Sequence, residues 1–128
     1  MMMKVLNTVI QTKSISLKNN HLSGNFKMDP MYTKQIEKTD DKTYVLTLGF
    51  NAVNTPDKPF PIDISCHLQA IFTFDDQATE LEIENFLQIP AVQIIYPHLR
   101  SLVSSITASA YLQPMLLPLV DARVFVNI

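Results

Sequence analysis

The sequence predicts an α+β domain: a four-stranded antiparallel sheet followed by a long kinked helix and a short C-terminal helix. Three observations carry this. Between Pro61 and Phe74 the even positions Ile62, Ile64, Cys66, Leu68, Ala70, Phe72 and Phe74 alternate with Asp63, Ser65, His67, Gln69, Ile71 and Thr73, the period of a strand with one buried and one wet face. After Pro90 the spacing becomes helical, through Val92, Ile95, Tyr96, Leu99, Leu102, Val103, Ile106 and Ala110. Strands first and helices after, within residues 1–128, describe one domain with a helix on one sheet face.

The elements follow in order. Val5 to Lys18 is the first strand, with inconsistent apolar parity: Leu6 and Ile10 fall on one face, Val9, Ile15 and Leu17 on the other. A bulge, or cover on both sides, accounts for that. Asn19 to Pro30 is a long connection containing Gly24 and Asp29-Pro30, and Met31 to Lys38 is a shorter, more polar strand. Thr39 to Lys42 turns the chain into a third strand, where Tyr44, Leu46, Leu48, Phe50 and Ala52 alternate with Thr43, Thr47 and Asn51. Asn54-Thr55-Pro56-Asp57-Lys58-Pro59 is a turn by composition, so the strands on either side are expected to pair antiparallel. Thr79 to Gln88 reads as a short helix with an irregular pattern in Leu81, Glu84 and Phe86. Pro90 suits a first helical turn, and Pro97 is expected to kink the long helix near its first third. The other side of that helix carries Ser101, Ser104, Ser105, Ala108 and Ser109. It is either a solvated serine face or a second packing surface, used by another subunit.

Composition narrows the function. Apolar residues make up 47% of the chain and mean hydropathy is slightly positive. Such a chain has an unusually apolar core or keeps apolar surface for a partner. A net charge of −2 provides no basic footprint for nucleic acid. Cys66 is the single cysteine, which excludes an intrachain disulfide and fits a reducing compartment. The start, Met1-Met2-Met3-Lys4, lacks the apolar stretch of a signal peptide, and no apolar run is long enough for a bilayer. The expected location is the cytoplasm, without membrane insertion.

Nothing in the pattern points to an enzyme. His21, His67 and His98 are scattered, and neither His67 nor His98 has a cysteine or carboxylate at ligand spacing, so no metal is expected. Cys66 is on the apolar side of its strand and reads as a small buried hydrophobe. The acidic run Asp75, Asp76, Glu80, Glu82 and Glu84 lies beside a turn, where carboxylates are usually solvated. With only Gly24 and Gly49, there is no glycine-rich phosphate loop. Catalytic residues and cofactors are therefore expected to be absent.

Binding has better support. Tyr111-Leu112-Gln113-Pro114-Met115-Leu116-Leu117-Pro118-Leu119-Val120 holds seven apolar non-proline residues in ten. A loop this apolar folds back on the core or lines a groove, and its two prolines keep it extended, as a fixed wall requires. Met115 and Leu116 are adaptable contacts for varied apolar side chains. The ordinary alternative is that Leu116, Leu117 and Val120 clamp the last helix to the sheet.

The residues Tyr96-Pro97-His98-Leu99-Arg100, then Gln113-Pro114-Met115-Leu116-Leu117-Pro118, then Val120-Asp121-Ala122-Arg123-Val124-Phe125-Val126-Asn127, resemble the end of the SecB-like family of chaperones. That family has an aromatic-Pro-aromatic-x-Arg helix start, a proline-rich inter-helix loop and a short closing helix. Ala70-Ile71-Phe72-Thr73-Phe74 is similar to its Gly-Ile-Phe strand, with Ala70 replacing glycine.

The resemblance implies an ATP-independent holdase that binds unfolded or pre-secretory polypeptides in apolar grooves, as a dimer or tetramer. Its groove wall would be Tyr111, Leu112, Met115, Leu116, Val124 and Phe125, with Phe60 beside the Pro59–Pro61 turn as a further member. Ser101, Ser104, Ser105 and Ala108 would form the face toward another subunit. The export chaperone meets the translocase motor SecA through an acidic, tail-bearing C-terminus; this chain stops at Ile128 with a small net charge, so the fold is implied more strongly than the export pathway. The rival reading is an oligomeric interaction protein on the same scaffold, dedicated to one partner such as an antitoxin or an inhibited target.

Overall fold

A computed structural model describes residues 3–128. Its elements are β1 (Val5–Asn19), β2 (Met31–Asp40), β3 (Thr43–Ala52), β4 (Ile62–Phe74), α1 (Glu80–Gln88), α2 (Pro90–Ser109), a 3₁₀ turn (Ala122–Val124) and β5 (Val126–Asn127). The sheet order is β1-β4-β3-β2-β5. β3 and β4 pair antiparallel across the turn at 54–59, while β1 crosses over and pairs with the other edge of β4. The mixed parity of β1 comes from bulges: the register shifts between Val5 and Asn7 and again between Thr12 and Ser14. Ile10 and Ile15 thereby reach the same sheet face, opposite Ala70 and Cys66.

The core lies between one sheet face and the two helices. Leu46, Leu48, Phe50, Ile64, Cys66, Ala70, Phe72 and Phe74 meet Ile83 and Leu87 of α1 and Val92, Ile95, Leu99 and Val103 of α2. α1 is sharply started, because Thr79 Oγ1 accepts from Glu82 N–H while the Glu82 carboxylate accepts from Thr79 N–H. The Thr79 N–H, and then the Thr79 hydroxyl, donate to the Glu82 carboxylate and hold it below its ordinary range. At the other end of α1, the buried Lys34 donates from Nζ to Gln88 O at 2.9 Å, filling one carbonyl that the helix leaves open. Desolvation lowers the Lys34 pKa. α2 continues through Pro97 as one long bent helix, since proline removes a donor from the ladder.

The chain end differs in detail from the expected closing helix. It makes one 3₁₀ turn and then a short strand, β5, parallel to β2 and fifth in the sheet. Asp121 starts the turn by accepting from Arg123 N–H at 2.8 Å and from the Arg123 guanidinium at 3.0 and 2.7 Å, which depresses its carboxyl pKa. Three residues suffice to aim Phe125 into the core against Tyr32 and Tyr96. Beyond Phe125 the edge of β2 offers main-chain partners to an extended segment, and Val126 is β-branched, which suits a strand.

On the helix-free sheet face, His67 lies across Gly49. A Cβ on Gly49 would come within 2.8 Å of the imidazole and 2.4 Å of Thr33 Oγ1, so only glycine leaves both side chains in place. Ser14 Oγ and Ser65 Oγ lie 3.3 and 3.5 Å from His67 Nδ1. Desolvation, then the charge of Lys13, holds His67 below its ordinary pKa of 6.5. A depressed histidine pKa means that the unfolded chain binds the proton more readily, so stability falls as pH drops from 6.5 through the lowered folded value. Thermal melts between pH 7.5 and 5 are expected to show wild type losing more stability than His67→Gln, and parallel curves would refute the assignment.

Candidate functional site

The apolar loop between α2 and the 3₁₀ turn is strapped to α2 by Tyr96 and Arg100, both within the helix-start motif, and by Thr107, which sequence patterning did not single out. Tyr96 donates from its hydroxyl to Pro118 O at 2.6 Å, and Arg100 donates from Nε to Leu117 O at 2.9 Å. Thr107, fully buried, donates to Val103 O at 2.9 Å and accepts from Met115 N–H at 2.8 Å. Residues 96, 100, 103 and 107 follow each other at helical spacing, so one face of α2 satisfies the loop's main chain. Leu117 is the buried anchor. The available signal was Thr107, a polar residue in line with Arg100 on the side of α2 that also carries Tyr96 and Val103.

Strapping the main chain leaves side chains facing outward. Tyr111 is 98% exposed, Leu116 78% and Leu119 83%. Leu112 and Met115 are partly buried against the core, and Val124 is exposed. Tyr111 also has φ of 61°, in the left-handed region. Its N–H donates to Ala108 O and Leu112 N–H donates to Thr107 O, closing α2 with the two-bond cap in which glycine is the usual residue. An aromatic residue there carries steric cost and gains no core contact in return.

Phe125 and Phe60, both expected in the groove wall, are buried at 4% and 8% exposure. Phe125 packs edge-on against Tyr32 and Tyr96, with centroids 5.2 and 5.7 Å away. Phe60 joins the core at the far end of the sheet, beside a cavity of about 180 Å³ shared with Ala52, Val53 and Lys58. The loop face and Phe60 are therefore not brought together into one cavity. Two other cavities flank the loop. One of about 300 Å³ is lined by Pro97, Arg100, Ser101, Ser104, Ser105 and Leu116, so the small-residue face and Leu116 share it. The other, of about 120 Å³, lies over Val92, Tyr96, Leu119, Val120 and Phe125. Ser101, Ser105 and Ala108 are exposed, and Ser104 is half-buried.

Apolar surface also remains on β1. Val5, Ile10 and Ile15 lie opposite buried β4 residues, yet stay between 37% and 41% exposed because the helices do not reach over β1. Among the described residues, its outer edge pairs with no other strand.

The chemistry of this surface is that of contact. Among the described residues, no group of three or more histidine, cysteine or acidic side chains could hold a metal ion. Burial pushes the Cys66 thiol up to about 11, which keeps it protonated at neutral pH. No described helix is long and apolar enough to cross a membrane.

Comparison with known proteins agrees with this architecture. The SecB-like chaperone Rv1957 of Mycobacterium tuberculosis, solved in complex with a ChAD peptide from the Rv1956 HigA1 antitoxin, superposes with a TM-score of 0.74 at 12% identity, covering 93% of this chain and 91% of that one. The uncharacterized protein MJ0357 of Methanocaldococcus jannaschii is 33% identical over 58 residues, or 45% of this chain, which spans 37% of that relative's length. The family described as preprotein translocase subunit SecB matches residues 7–126, from the bulged first strand to β5, so this chain belongs to the SecB family.

Proposed function

We propose that this chain is an ATP-independent holdase that keeps unfolded polypeptides from aggregating by covering their apolar segments, acting in the cytoplasm. The observation that carries the reading is an apolar loop held rigid by Tyr96, Arg100 and Thr107 while Tyr111, Leu116 and Leu119 point to solvent. A loop free to collapse would bury those side chains; one strapped through its main chain presents them. The client wall is Tyr111, Leu112, Met115, Leu116 and Val124, with Phe125 supporting it from beneath. Phe60 belongs to this surface only if a client runs along the sheet to its far end. SecB-like chaperones are non-enzymatic, and holding needs no nucleotide: binding the unfolded state in preference is enough.

Rv1957 was solved with an antitoxin peptide, which supports a dedicated antitoxin-type client as the second reading. Aggregation suppression on several unrelated denatured proteins, with a host pull-down read by mass spectrometry, separates the two. Suppression of many clients supports the general holdase, and one dominant stoichiometric partner supports the dedicated form. No suppression and no partner defeat both.

Assembly as a dimer or tetramer belongs to the same proposal. A long strand edge bearing exposed isoleucines invites a second copy along β1. The Ser101–Ser104–Ser105–Ala108 face admits close approach of another helix. Light scattering at micromolar concentration is expected to give a dimer or tetramer, and Ser105→Arg to reduce the mass while leaving the melting temperature of the subunit nearly unchanged. A wild-type monomer of about 14.5 kDa would remove this part of the proposal.

A further inference from the structure

Tyr32 is 7% exposed, and its hydroxyl is buried without a hydrogen-bond partner among the described residues. Buried hydroxyls are rarely left so, because losing water without gaining a partner is costly. Its ring stands edge-on to Tyr96 and Phe125, with centroids 6.1 and 5.2 Å away, and tilts against Phe50 at 5.5 Å. Burial, and then the nearby Tyr32 hydroxyl, raises the Tyr96 pKa, so the two phenols sense each other. The Tyr96 proton nevertheless goes to Pro118 O, at 2.6 Å. The two cavities that flank the loop are both lined by Pro97 and Arg100, so displacing residues 117–119 joins them into one groove.

The three straps differ in what their release leaves behind. Thr107 keeps its own bond to Val103 O, and the half-buried Arg100 reaches water. Tyr96 is 5% exposed, and a client's apolar side chain in place of the loop excludes water from its hydroxyl. An unpaired phenol there would oppose binding. We propose that Tyr32 is a positioning residue for client binding: its hydroxyl accepts the Tyr96 hydrogen bond in place of Pro118 O when a bulky apolar client side chain displaces the loop. In the free chain the Tyr32 hydroxyl is unpaired. In the complex Tyr96 donates to Tyr32 Oη, and Pro118 O turns to water. The exchange keeps Tyr96 bonded and gives Tyr32 a partner, so displacement costs less than breaking the strap outright. A wall that yields in this way suits clients whose side chains differ in bulk. The inference rests on the holdase reading and names a residue that tunes its surface from beneath.

The test uses the full 128-residue chain, isotopically labelled, and a capped synthetic heptapeptide with leucine at its three central positions. Tyr32→Phe keeps the ring packing and removes only the hydroxyl. It is expected to bind the peptide at least fivefold more weakly than wild type, at an unchanged or higher melting temperature. With Tyr96→Phe as background, adding Tyr32→Phe is expected to change the affinity less than twofold, since Tyr32 acts through Tyr96 alone. The Pro118 carbonyl-carbon shift, read by NMR, is expected to move toward its Tyr96→Phe value when wild type is saturated with the peptide. Should Tyr96→Phe not fold, the affinity and melting temperature of Tyr32→Phe decide alone. Equal affinity of wild type and Tyr32→Phe overturns the inference, as does absence of peptide binding by wild type. A lower melting temperature in Tyr32→Phe also overturns it, because the hydroxyl would then be partnered in the free chain. Aggregation suppression is measured on the same samples. If wild type suppresses aggregation and Tyr32→Phe matches its peptide affinity, only the role of Tyr32 fails; if wild type neither suppresses aggregation nor binds the peptide, the holdase reading fails.

Discussion

Phe125→Ala is expected to cost about 3–5 kcal/mol of stability, the range for deleting a buried aromatic side chain. Phe125 is 4% exposed and fills the space between Tyr32 and Tyr96, both of which also meet the core. Its removal leaves a cavity that the sheet cannot close, because Tyr96 is tethered to Pro118 O and Tyr32 stands on a paired strand. It also releases the anchor of β5, whose two residues hold β2 weakly by themselves. A denaturant or thermal melt measures this, with a fall in Tm of roughly 10–20 °C for a domain of this size. A melting temperature within a few degrees of wild type would show that Phe125 is not core, and would return it to the groove wall.

Tyr111→Gly and Leu116→Ser are expected to do the reverse, leaving stability intact and removing most of the holdase activity. Leu116 is 78% exposed, so its truncation forfeits little buried area. At Tyr111 the sign is unusual. The residue is 98% exposed with φ of 61°, at the helix-capping position that glycine occupies without strain, so Tyr111→Gly is expected to be neutral or to stabilise by roughly 0.5–1 kcal/mol. A strained, fully exposed aromatic residue points to a functional demand. Melts and aggregation suppression on the double variant, run side by side, are expected to show at least a fivefold higher chaperone concentration for half-suppression at unchanged Tm. Full activity in that variant would remove the loop from the client surface. A large loss of Tm would mean that the loop is part of the core.

How far these residues could be read in advance depends on the range of the interactions that place them. The period-two pattern of Ile62 to Phe74 and the helical spacing from Val92 to Val103 determined β4 and α2, because each face repeats locally and must be buried on one side. Parity also recorded the β1 bulges, since an extra residue in a strand switches faces within two positions. The proline-rich segment marked the loop between α2 and the chain end, and the motifs around it marked the family.

Tertiary structure alone decided what that loop exposes. Leu116 and Leu117 are identical residues side by side; one is 78% exposed and the other 1%, because Arg100 holds Leu117 O and turns the neighbouring side chain outward. Phe125 and Val124 separate in the same way, since a 3₁₀ turn rather than a longer helix aims the phenylalanine at Tyr32. The outer edge of β1, unpaired among the described residues, is likewise invisible in any one strand's sequence, because an edge is defined by which strands fail to pair. Local periodicity determines which residues seek burial, and only long-range pairing determines which of them find it.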